Sequence, residues 1–280
     1  MSDSPRYTLA GVMGWPVQHS RSPLLHNHWI VEHGLLGNYV LLPMQPERLE
    51  PALRALPALG FAGCNLTIPH KVAALGIVDS LEPLAQRIGA ANTIVVGPNG
   101  QLHGRNTDAF GFINSLRDAQ PDWRADAGPA CVMGAGGAAR AVLAGLLDEG
   151  APEIRLCNRS NAKAHDMAQE FGPHVKAVPW AERHDALAGA ALLVNTTNQG
   201  MHGQDPLDLR LDALPTQALV SDIVYVPLET PLLLAARTRG NATVNGLGML
   251  IHQARPAFEA WFGVLPAVSA PLLAKMLASL

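Results

Sequence analysis

Residues 130–140 read ACVMGAGGAAR, an apolar run followed directly by a glycine-rich turn. Gly134, Gly136 and Ala139 match the spacing G-x-G-x-x-(G/A). The apolar run predicts a buried strand, and residues 138–147 have the pattern of a helix. Without these flanks, the glycines would indicate only a tight turn. With them, we predict a dinucleotide site whose phosphates lie against Gly134, Ala135, Gly136, Gly137 and Ala138.

The segment after the next predicted strand, residues 154–157, distinguishes between the two nicotinamide dinucleotides. NAD sites place Asp or Glu about 20 residues past the turn. This chain instead has Asn158, Arg159 and Ser160 there, with Lys163 one helical turn later. A guanidinium pairs with a 2′-phosphate and stacks on adenine, so we predict NADP. The alternative is that Arg159 and Lys163 are solvated surface charges.

The composition is that of a folded globular protein with no nucleic-acid partner. The 280 residues are 48% hydrophobic and carry a net charge of -3, and no run of Lys or Arg could neutralise several phosphates. Residues 1–6 have no apolar stretch behind a basic start, so we expect no leader peptide, and no segment has the roughly 18 apolar residues that a membrane helix needs. Cys64, Cys131 and Cys157 lack paired spacing and predict buried, reduced thiols. We expect a cytoplasmic protein without a membrane partner, either a monomer or a homodimer.

The order of predicted elements indicates an α/β protein with two domains. Strands and helices alternate before the glycine turn and again after it, which is typical of parallel sheets with helical crossovers. We predict a substrate-binding and catalytic domain with an open, mostly parallel sheet at residues 1–107. Residues 108–245 are predicted to form a Rossmann-type NADP-binding domain. Two helical patterns in residues 246–280, with no strand after them, predict C-terminal helices that return to the first domain.

Four polar clusters precede the glycine turn, each at the start or end of a predicted element. They read SRSP at 20–23, NLTIPHK at 65–71, ANT at 91–93 and GRNTD at 104–108. Side chains at the ends of parallel strands converge on the crevice of an open sheet, where small ligands bind. Each cluster also has a structural explanation, as a helix cap, a strand-end hydroxyl or a surface charge.

Taken together, these clusters resemble the signatures of the shikimate dehydrogenase family over essentially the whole chain. The first half matches S-x-S-P…H-N, N-x-T-x-P-x-K, A-x-N-T and N-T-D; the matching segments are 20–27, 65–71, 90–93 and 106–108. The second half adds the glycine turn, Asn-Arg at 158–159, N-T-T at 195–197 with Gly-Met at 200–201, D-I-V-Y-x-P at 222–227, and G-L-G-M-L with Gln253. The motifs follow in the family's order.

The resemblance implies NADPH-dependent, reversible reduction of 3-dehydroshikimate to shikimate, a step of chorismate and aromatic amino acid biosynthesis. It also implies roles for residues that the motifs contain. Lys71 and Asp108 form the catalytic acid-base pair. Ser20, Ser22 and Tyr225 bind the substrate carboxylate, and Thr67, Asn92 and Gln253, together with Asp108, bind the rest of the substrate. Ile223, Gly246 and Met249 lie against the nicotinamide.

Three positions depart from the family pattern: Asn198, Asn245 and His252, where Ser, Asp and a small residue are usual. We expect them to affect nicotinamide packing or substrate contacts and not the reaction class. One alternative function is quinate or dual quinate/shikimate oxidation. Another is a non-catalytic NADP-sensing protein, which would be expected to lose Lys71 and Asp108. His26 and His28 do not share a helix face, so no metal site is predicted.

Overall fold

The computed structural model describes residues 7–280, so residues 1–6, for which the sequence predicts no leader peptide, lie outside the described residues. The chain divides into two compact units. One contains residues 7–107 together with Gln253–Ser279, and the other contains Asp108–His252. The chain therefore passes from one unit to the other at two peptide bonds, after Thr107 and after His252.

The first unit contains a six-stranded sheet in the order β2-β1-β3-β5-β6-β4. Its strands are β1 (Thr8–Gly14), β2 (Gly37–Pro43), β3 (Phe61–Leu66), β4 (Ser80–Leu81), β5 (Thr93–Val96) and β6 (Leu102–Arg105). Its first four helices are α1 (Ser22–Glu32), α2 (Leu49–Ala55), α3 (His70–Ala73) and α4 (Pro83–Ile88). Buried apolar residues such as Leu53, Leu66 and Ile94 form its core. The predicted mostly parallel sheet is confirmed.

Strand β5 is the exception, because it runs antiparallel to both of its neighbours. A parallel connection needs a dozen or more residues, whereas only residues 97–101 join β5 to β6, so these strands form a hairpin. This reversal brings the beginning of β5 beside the end of β3. Thr93 pairs with Asn65 on one side and with Arg105 on the other. Three of the polar clusters therefore meet at the same end of the adjacent strands β3, β5 and β6.

The second unit contains a fully parallel sheet in the order β12-β11-β10-β7-β8-β9. Its strands are β7 (Ala130–Met133), β8 (Ile154–Cys157), β9 (Val175–Val178), β10 (Leu192–Asn195), β11 (Leu219–Asp222) and β12 (Thr243–Val244). Its helices include α5 (Asp108–Ala119), α6 (Gly137–Asp148), α7 (Asn161–Phe171) and α8 (Pro231–Thr238). Read from β9, the order is 3-2-1-4-5-6, which confirms the predicted Rossmann-type arrangement.

The central strands of this second sheet are buried along their length because helices cover both faces. All four residues of β7, β10 and β11 are buried. Helix α6 follows β7 directly through the glycine turn, and α7 begins at a cap in which the Ser160 hydroxyl accepts the backbone N–H of Lys163. The residues that follow β7, β8, β10 and β11 therefore lie at the carboxyl end of the sheet.

The C-terminal helices are α9 (Gly246–Phe262) and α10 (Ala270–Leu277). The sequence predicted that the return to the first domain begins at residue 246; in the structure, residues 246–252 belong to the second unit and Gln253–Ser279 to the first. The indole N–H of Trp261 donates to the carbonyl of Ile94 at 3.0 Å, and that of Trp29 donates to the carbonyl of Ala267 at 3.1 Å. Over residues 7–280, no helix is long and apolar enough to cross a membrane.

Candidate active site

A buried hydrogen-bond network in the first unit centres on Asn92, which is 1% exposed. Its Oδ1 accepts the backbone N–H of Thr107 at 2.9 Å, and its Nδ2 donates to the Thr107 hydroxyl at 2.9 Å. The same Nδ2 lies 3.4 Å from Oε1 of Gln253, which comes from α9. Two predicted substrate residues that are far apart in sequence, Asn92 and Gln253, are thus brought into contact.

Asn65 extends this network toward the start of α1. Its Nδ2 donates to the Asn92 carbonyl and to the Thr93 hydroxyl, both at 3.1 Å. Its Oδ1 accepts a hydrogen bond from the phenol O–H of Tyr39 at 2.7 Å. Burial raises the pKa of Tyr39 well above its usual range, while a hydrogen bond with Ser22 acts in the opposite direction. The structure therefore links predicted residues Ser22 and Asn92 through Tyr39 and Asn65, to which sequence reasoning gave no role.

Ser20, Thr67 and Lys71 lie in the loops and short helix next to this network. The Ser20 hydroxyl accepts the backbone N–H of Ser22 at 3.3 Å. Thr67 follows β3, and its backbone N–H donates to the carbonyl of Met13 at 3.0 Å. Lys71 lies in α3, and its carbonyl accepts the backbone N–H of Ala91 at 2.8 Å, which places α3 beside the ANT cluster. The Lys71 side chain is half-buried, unlike a freely solvated surface lysine.

The remaining predicted substrate and nicotinamide residues belong to the second unit. Asp108 is the buried first residue of α5, and Tyr225 follows β11. Ile223 and Gly246 lie in close contact, because a Cβ at Gly246 would lie 2.0 Å from the Ile223 carbonyl oxygen. Ile223 and Met249 both pack on the core of this unit. Ile223 and Gly246, two of the three residues expected at the nicotinamide, are therefore in contact, and Met249 follows Gly246 by about one turn of α9.

The glycine turn combines a conformation that requires glycine with open space above it. Gly134 has φ +107°, and a Cβ there would lie 2.7 Å from the Thr196 hydroxyl and 2.9 Å from Cγ2 of Thr197. At Gly136 and Gly137, by contrast, an added Cβ would have no neighbour within 4 Å. No side chain caps the N-terminus of α6. The open space and the uncapped backbone N–H groups suit a pyrophosphate at this helix end.

An open cleft of about 180 Å³ lies beside this turn. It is lined by Gly134, Ala135, Gly136, Asn158, Arg159, Trp180, Thr196, Thr197 and Gln199. Oδ1 of Asn158 accepts the backbone N–H of Ala135 at 3.2 Å, so the end of β8 is attached to the glycine turn. The cationic Arg159, the open space and the uncapped helix together fit a phosphorylated dinucleotide.

Not every predicted cofactor residue lines this cleft. Gly137, Ala138, Ser160 and Lys163 lie outside its lining, and the Ser160 hydroxyl caps α7 by accepting the Lys163 backbone N–H at 3.4 Å. Lys163 is exposed. Conversely, Trp180 and Gln199 line the cleft although nothing in the sequence singled them out.

Asp222, in the D-I-V-Y-x-P motif, is a buried structural carboxylate. Burial raises the pKa of its carboxyl group, and hydrogen bonds from the Thr230 hydroxyl, the Val224 backbone N–H and the Asn195 amide act in the opposite direction. These bonds measure 2.7, 3.0 and 3.1 Å respectively. Asp222 therefore joins the ends of β10 and β11 to α8 and holds the segment that carries Ile223 and Tyr225.

The three departures from the family pattern have local partners in the second unit. Oδ1 of Asn245 accepts the backbone N–H of Leu247 at 3.1 Å, at the start of α9. The buried His252 contacts Oδ2 of Asp118 through Nε2 at 2.7 Å and so connects α9 to α5. The exposed Asn198 donates to Gln204 at 3.3 Å. Asn245 and His252 thus stabilise the helix that carries Met249 and Gln253.

Three family descriptions match successive parts of the chain. Residues 12–94 match the shikimate dehydrogenase substrate binding domain. Residues 121–202 match shikimate / quinate 5-dehydrogenase, and residues 246–270 match the shikimate 5′-dehydrogenase C-terminal domain. These ranges include Asn65, Asn92 and Gln253 of the polar network, the glycine turn and the start of α9.

Solved structures of similar fold cover nearly the whole chain. Shikimate 5-dehydrogenase from Thermus thermophilus, solved in complex with NADP(H) and shikimate, aligns with a TM-score of 0.88 at 37% identity, covering 98% of this chain and 100% of that one. Quinate dehydrogenase from Corynebacterium glutamicum, solved in complex with NAD, aligns with a TM-score of 0.90 at 30% identity and the same coverage.

Relatives of known name are more similar in sequence. A protein of Paramagnetospirillum magneticum named shikimate dehydrogenase (NADP(+)) is 58% identical over 98% of this chain and 99% of its own length. Another of that name, from Rhodospirillum rubrum, is 57% identical over 96% of each chain. On this identity and coverage, the chain belongs to the shikimate dehydrogenase family.

Proposed function

We propose that this protein is an NADP-dependent shikimate dehydrogenase, which reversibly reduces 3-dehydroshikimate to shikimate in chorismate and aromatic amino acid biosynthesis. The observation that carries the proposal is the contact of Asn92 with Thr107 and Gln253 in a buried polar network beside Lys71. Such a network offers a polyhydroxylated acid several neutral donors and acceptors. Relatives at 58% and 57% identity that bear this enzyme's name support the assignment.

The substrate carboxylate binds to the hydroxyls of Ser20 and Ser22, with Tyr225 as a further donor. Thr67, Asn92 and Gln253 hydrogen-bond the ring hydroxyls. Tyr39 and Asn65 support this arrangement because they hold Ser22 and Asn92 in one hydrogen-bonded chain. A site organised in this way positions the substrate before the reaction, which lowers the entropic part of the barrier.

Lys71 carries out the proton transfer with Asp108 as its partner. Bound NADPH supplies the hydride that reduces the carbonyl carbon. The Lys71 ammonium group donates the proton that the carbonyl oxygen needs to become a hydroxyl, and in the reverse reaction its amine accepts that proton. Asp108 holds the substrate and the amine in position. A positioned acid-base group of this kind contributes about 10²–10⁴-fold to the rate.

The cofactor binds in the cleft of the second unit. The backbone N–H groups at the start of α6 bind the pyrophosphate, while Asn158 keeps the glycine turn and the end of β8 together. Arg159 pairs with the 2′-phosphate, with Ser160 and Lys163 nearby in sequence. Ile223, Gly246 and Met249 exclude water from the nicotinamide, where hydride transfer requires a dry environment.

Quinate oxidation, alone or beside shikimate oxidation, is the second candidate. It is favoured by the TM-score of 0.90 with a quinate dehydrogenase. That protein was solved with NAD, whereas Arg159 in this chain suits the additional phosphate of NADP. A non-catalytic NADP-sensing role is less well supported, because Lys71 and Asp108 are both present.

Initial rates of NADPH consumption with 3-dehydroshikimate test the function. Rates in the opposite direction, with shikimate and with quinate, each with NADP⁺ and with NAD⁺, test its breadth. We expect kcat/KM for shikimate to exceed that for quinate by about tenfold or more, since the added hydroxyl must fit a site built for fewer groups. Faster turnover of quinate with NAD⁺ would favour the second candidate.

We further propose a cytoplasmic location and a monomeric or homodimeric state. The location is supported by the cysteines, since Cys64, Cys131 and Cys157 are free and buried. Disulfides are rare in that compartment, so such thiols remain reduced there. Light scattering coupled to size-exclusion chromatography would distinguish the monomer of 29.7 kDa from the dimer.

A further inference from the structure

Trp180 lines the cleft of the second unit together with Arg159 and the glycine turn. It follows β9, just as Arg159 follows β8, and these two strands are neighbours at one side of the sheet. Apart from the methyl of Ala135 and the methyl groups of the threonines, the other lining residues offer polar groups or bare backbone. Among the lining residues, Trp180 is therefore the one that brings an aromatic ring to this cleft.

The position of β8 and β9 indicates which half of a dinucleotide meets this surface. The glycine turn follows β7, in the middle of the sheet order β12-β11-β10-β7-β8-β9. Ile223, assigned to the nicotinamide, follows β11 on one side of β7. Arg159 and Trp180 lie on the other side. With the pyrophosphate at the turn, the adenosine half must extend toward Arg159 and Trp180.

We propose that Trp180 contacts the adenine of NADP and contributes to the affinity for the adenosine half of the cofactor. This inference rests on the proposed NADP-dependent function. Adenine is planar and aromatic, and aromatic side chains bind such rings through offset or edge-to-face contacts. Arg159 then pairs with the 2′-phosphate. The phosphate and the adenine of the adenosine half are thus bound by two residues that line the same cleft.

The surroundings of Trp180 hold its indole in one place. Its backbone N–H donates to Oδ1 of Asn161, the first residue of α7, at 3.0 Å. The Arg183 guanidinium lies over the indole at 4.7 Å from the ring centroid, and its Nη1 donates to the Trp180 carbonyl at 2.9 Å. The indole also packs on the apolar core beneath it. A ring held in this way loses little conformational freedom when a ligand binds.

The test measures binding of 2′,5′-ADP, which represents the adenosine half with its 2′-phosphate, by calorimetry. We expect Trp180→Ala to raise the Kd about tenfold, as loss of a base-aromatic contact does in other proteins, and Trp180→Phe to raise it about threefold or less because an aromatic ring remains. Trp123→Phe is the matched control. Trp123 packs on the core of the same unit and does not line the cleft.

A second readout uses tryptophan emission, which does not depend on turnover. The chain has 5 tryptophans, so Trp180→Phe keeps 4 of them. Binding of 2′,5′-ADP should change the emission of the wild type and of Trp123→Phe but not that of Trp180→Phe. This readout also decides the matter if Trp180→Ala does not fold.

The proposal is overturned if Trp180→Ala binds 2′,5′-ADP as tightly as the wild type, or if the emission change persists in Trp180→Phe. It is also overturned if the wild type binds no 2′,5′-ADP. The proposed function fails separately, when the wild type does not consume NADPH with 3-dehydroshikimate. If the wild type is active but substitution of Trp180 does not change its affinity for 2′,5′-ADP, the proposed function is retained and the role of Trp180 in cofactor binding is rejected.

Discussion

The side-chain oxygen of Asn92 accepts the backbone N–H of Thr107 at 2.9 Å. Thr107 is the residue before Asp108, so the amide that is proposed to bind substrate also fixes the chain that leads to the proposed catalytic carboxylate. Asn92 belongs to the short segment before β5, and its position depends on the reversal of that strand. The antiparallel direction of β5 thus determines where Asn92 lies in the site.

Asn92→Ala should therefore reduce both activity and stability. It removes a substrate contact and leaves the buried N–H and hydroxyl of Thr107 without this partner. We expect kcat/KM to fall by about 10–10²-fold and the free energy of unfolding to fall by about 1–3 kcal/mol. Steady-state kinetics and urea unfolding measure the two effects. Thr107→Ser, which keeps both groups, is the control, and a fully stable Asn92→Ala would contradict the role of the network.

Arg159→Ala should weaken NADPH binding selectively. Because the guanidinium is assigned to the 2′-phosphate, its loss should raise KM for NADPH about 10–100-fold and change KM for NADH little. Lys163→Ala should have a smaller effect, since Lys163 does not line the cleft. Equal losses with both cofactors in Arg159→Ala would remove the basis for NADP selectivity.

Two alanine substitutions in the glycine turn should have different effects. Gly134→Ala forces a side chain into φ +107° and against Thr196 and Thr197, so the melting temperature should fall. Gly136→Ala meets open space, so the protein should keep its stability while the methyl group hinders the pyrophosphate and weakens NADPH binding. Thermal unfolding and NADPH titration of both variants would reveal this contrast; identical behaviour would refute it.

His26 should make the protein sensitive to acid. Its ring is fully buried, stacks on Tyr39 at 4.0 Å between centroids, and has no hydrogen-bond partner on either nitrogen among residues 7–280. Burial lowers the pKa of His26 from 6.5 to about 3. The unfolded chain therefore binds a proton that the folded protein excludes, and stability decreases as the pH falls below about 6.5, by at most about 1.4 kcal/mol per pH unit.

His26→Phe should remove this contribution. Its free energy of unfolding should depend less on pH between 6.5 and 4 than that of the wild type, as measured by urea unfolding at several pH values. His33→Gln, which changes an exposed histidine, is the control and should retain the wild-type dependence. An unchanged pH dependence in His26→Phe would show that another group titrates.

Much of the second unit could be predicted from the sequence because its signals are local. The glycine spacing, the apolar run before it and the residues at 158–160 lie within one β-α-β segment, and the structure places Asn158 against Ala135 in the same cleft. Short elements escaped prediction. Strand β12 has only two residues, too few for a hydrophobic period to be recognised.

Contacts between distant segments could not be read from the sequence. Tyr39 joins Ser22 to Asn65 across three elements, and Trp180 lines the same cleft as Arg159 because β9 lies beside β8. Asn245 and His252 were expected to affect nicotinamide packing or substrate contacts, which stays a prediction; their hydrogen-bond partners in the structure lie at the start of α9 and on α5. Sequence alone does not show these partners. They indicate that Asn245 and His252 stabilise α9.

Replacement of Lys71 tests the proposed chemistry most directly. The measurement is the turnover number for 3-dehydroshikimate at saturating NADPH, in the wild type and in Lys71→Ala shown to be folded by circular dichroism and to bind NADPH. We predict an active wild type and a decrease of about 10²–10⁴-fold in the variant. A folded, NADPH-binding Lys71→Ala with near-normal turnover would contradict the proposed mechanism, and an inactive wild type would contradict the proposed function.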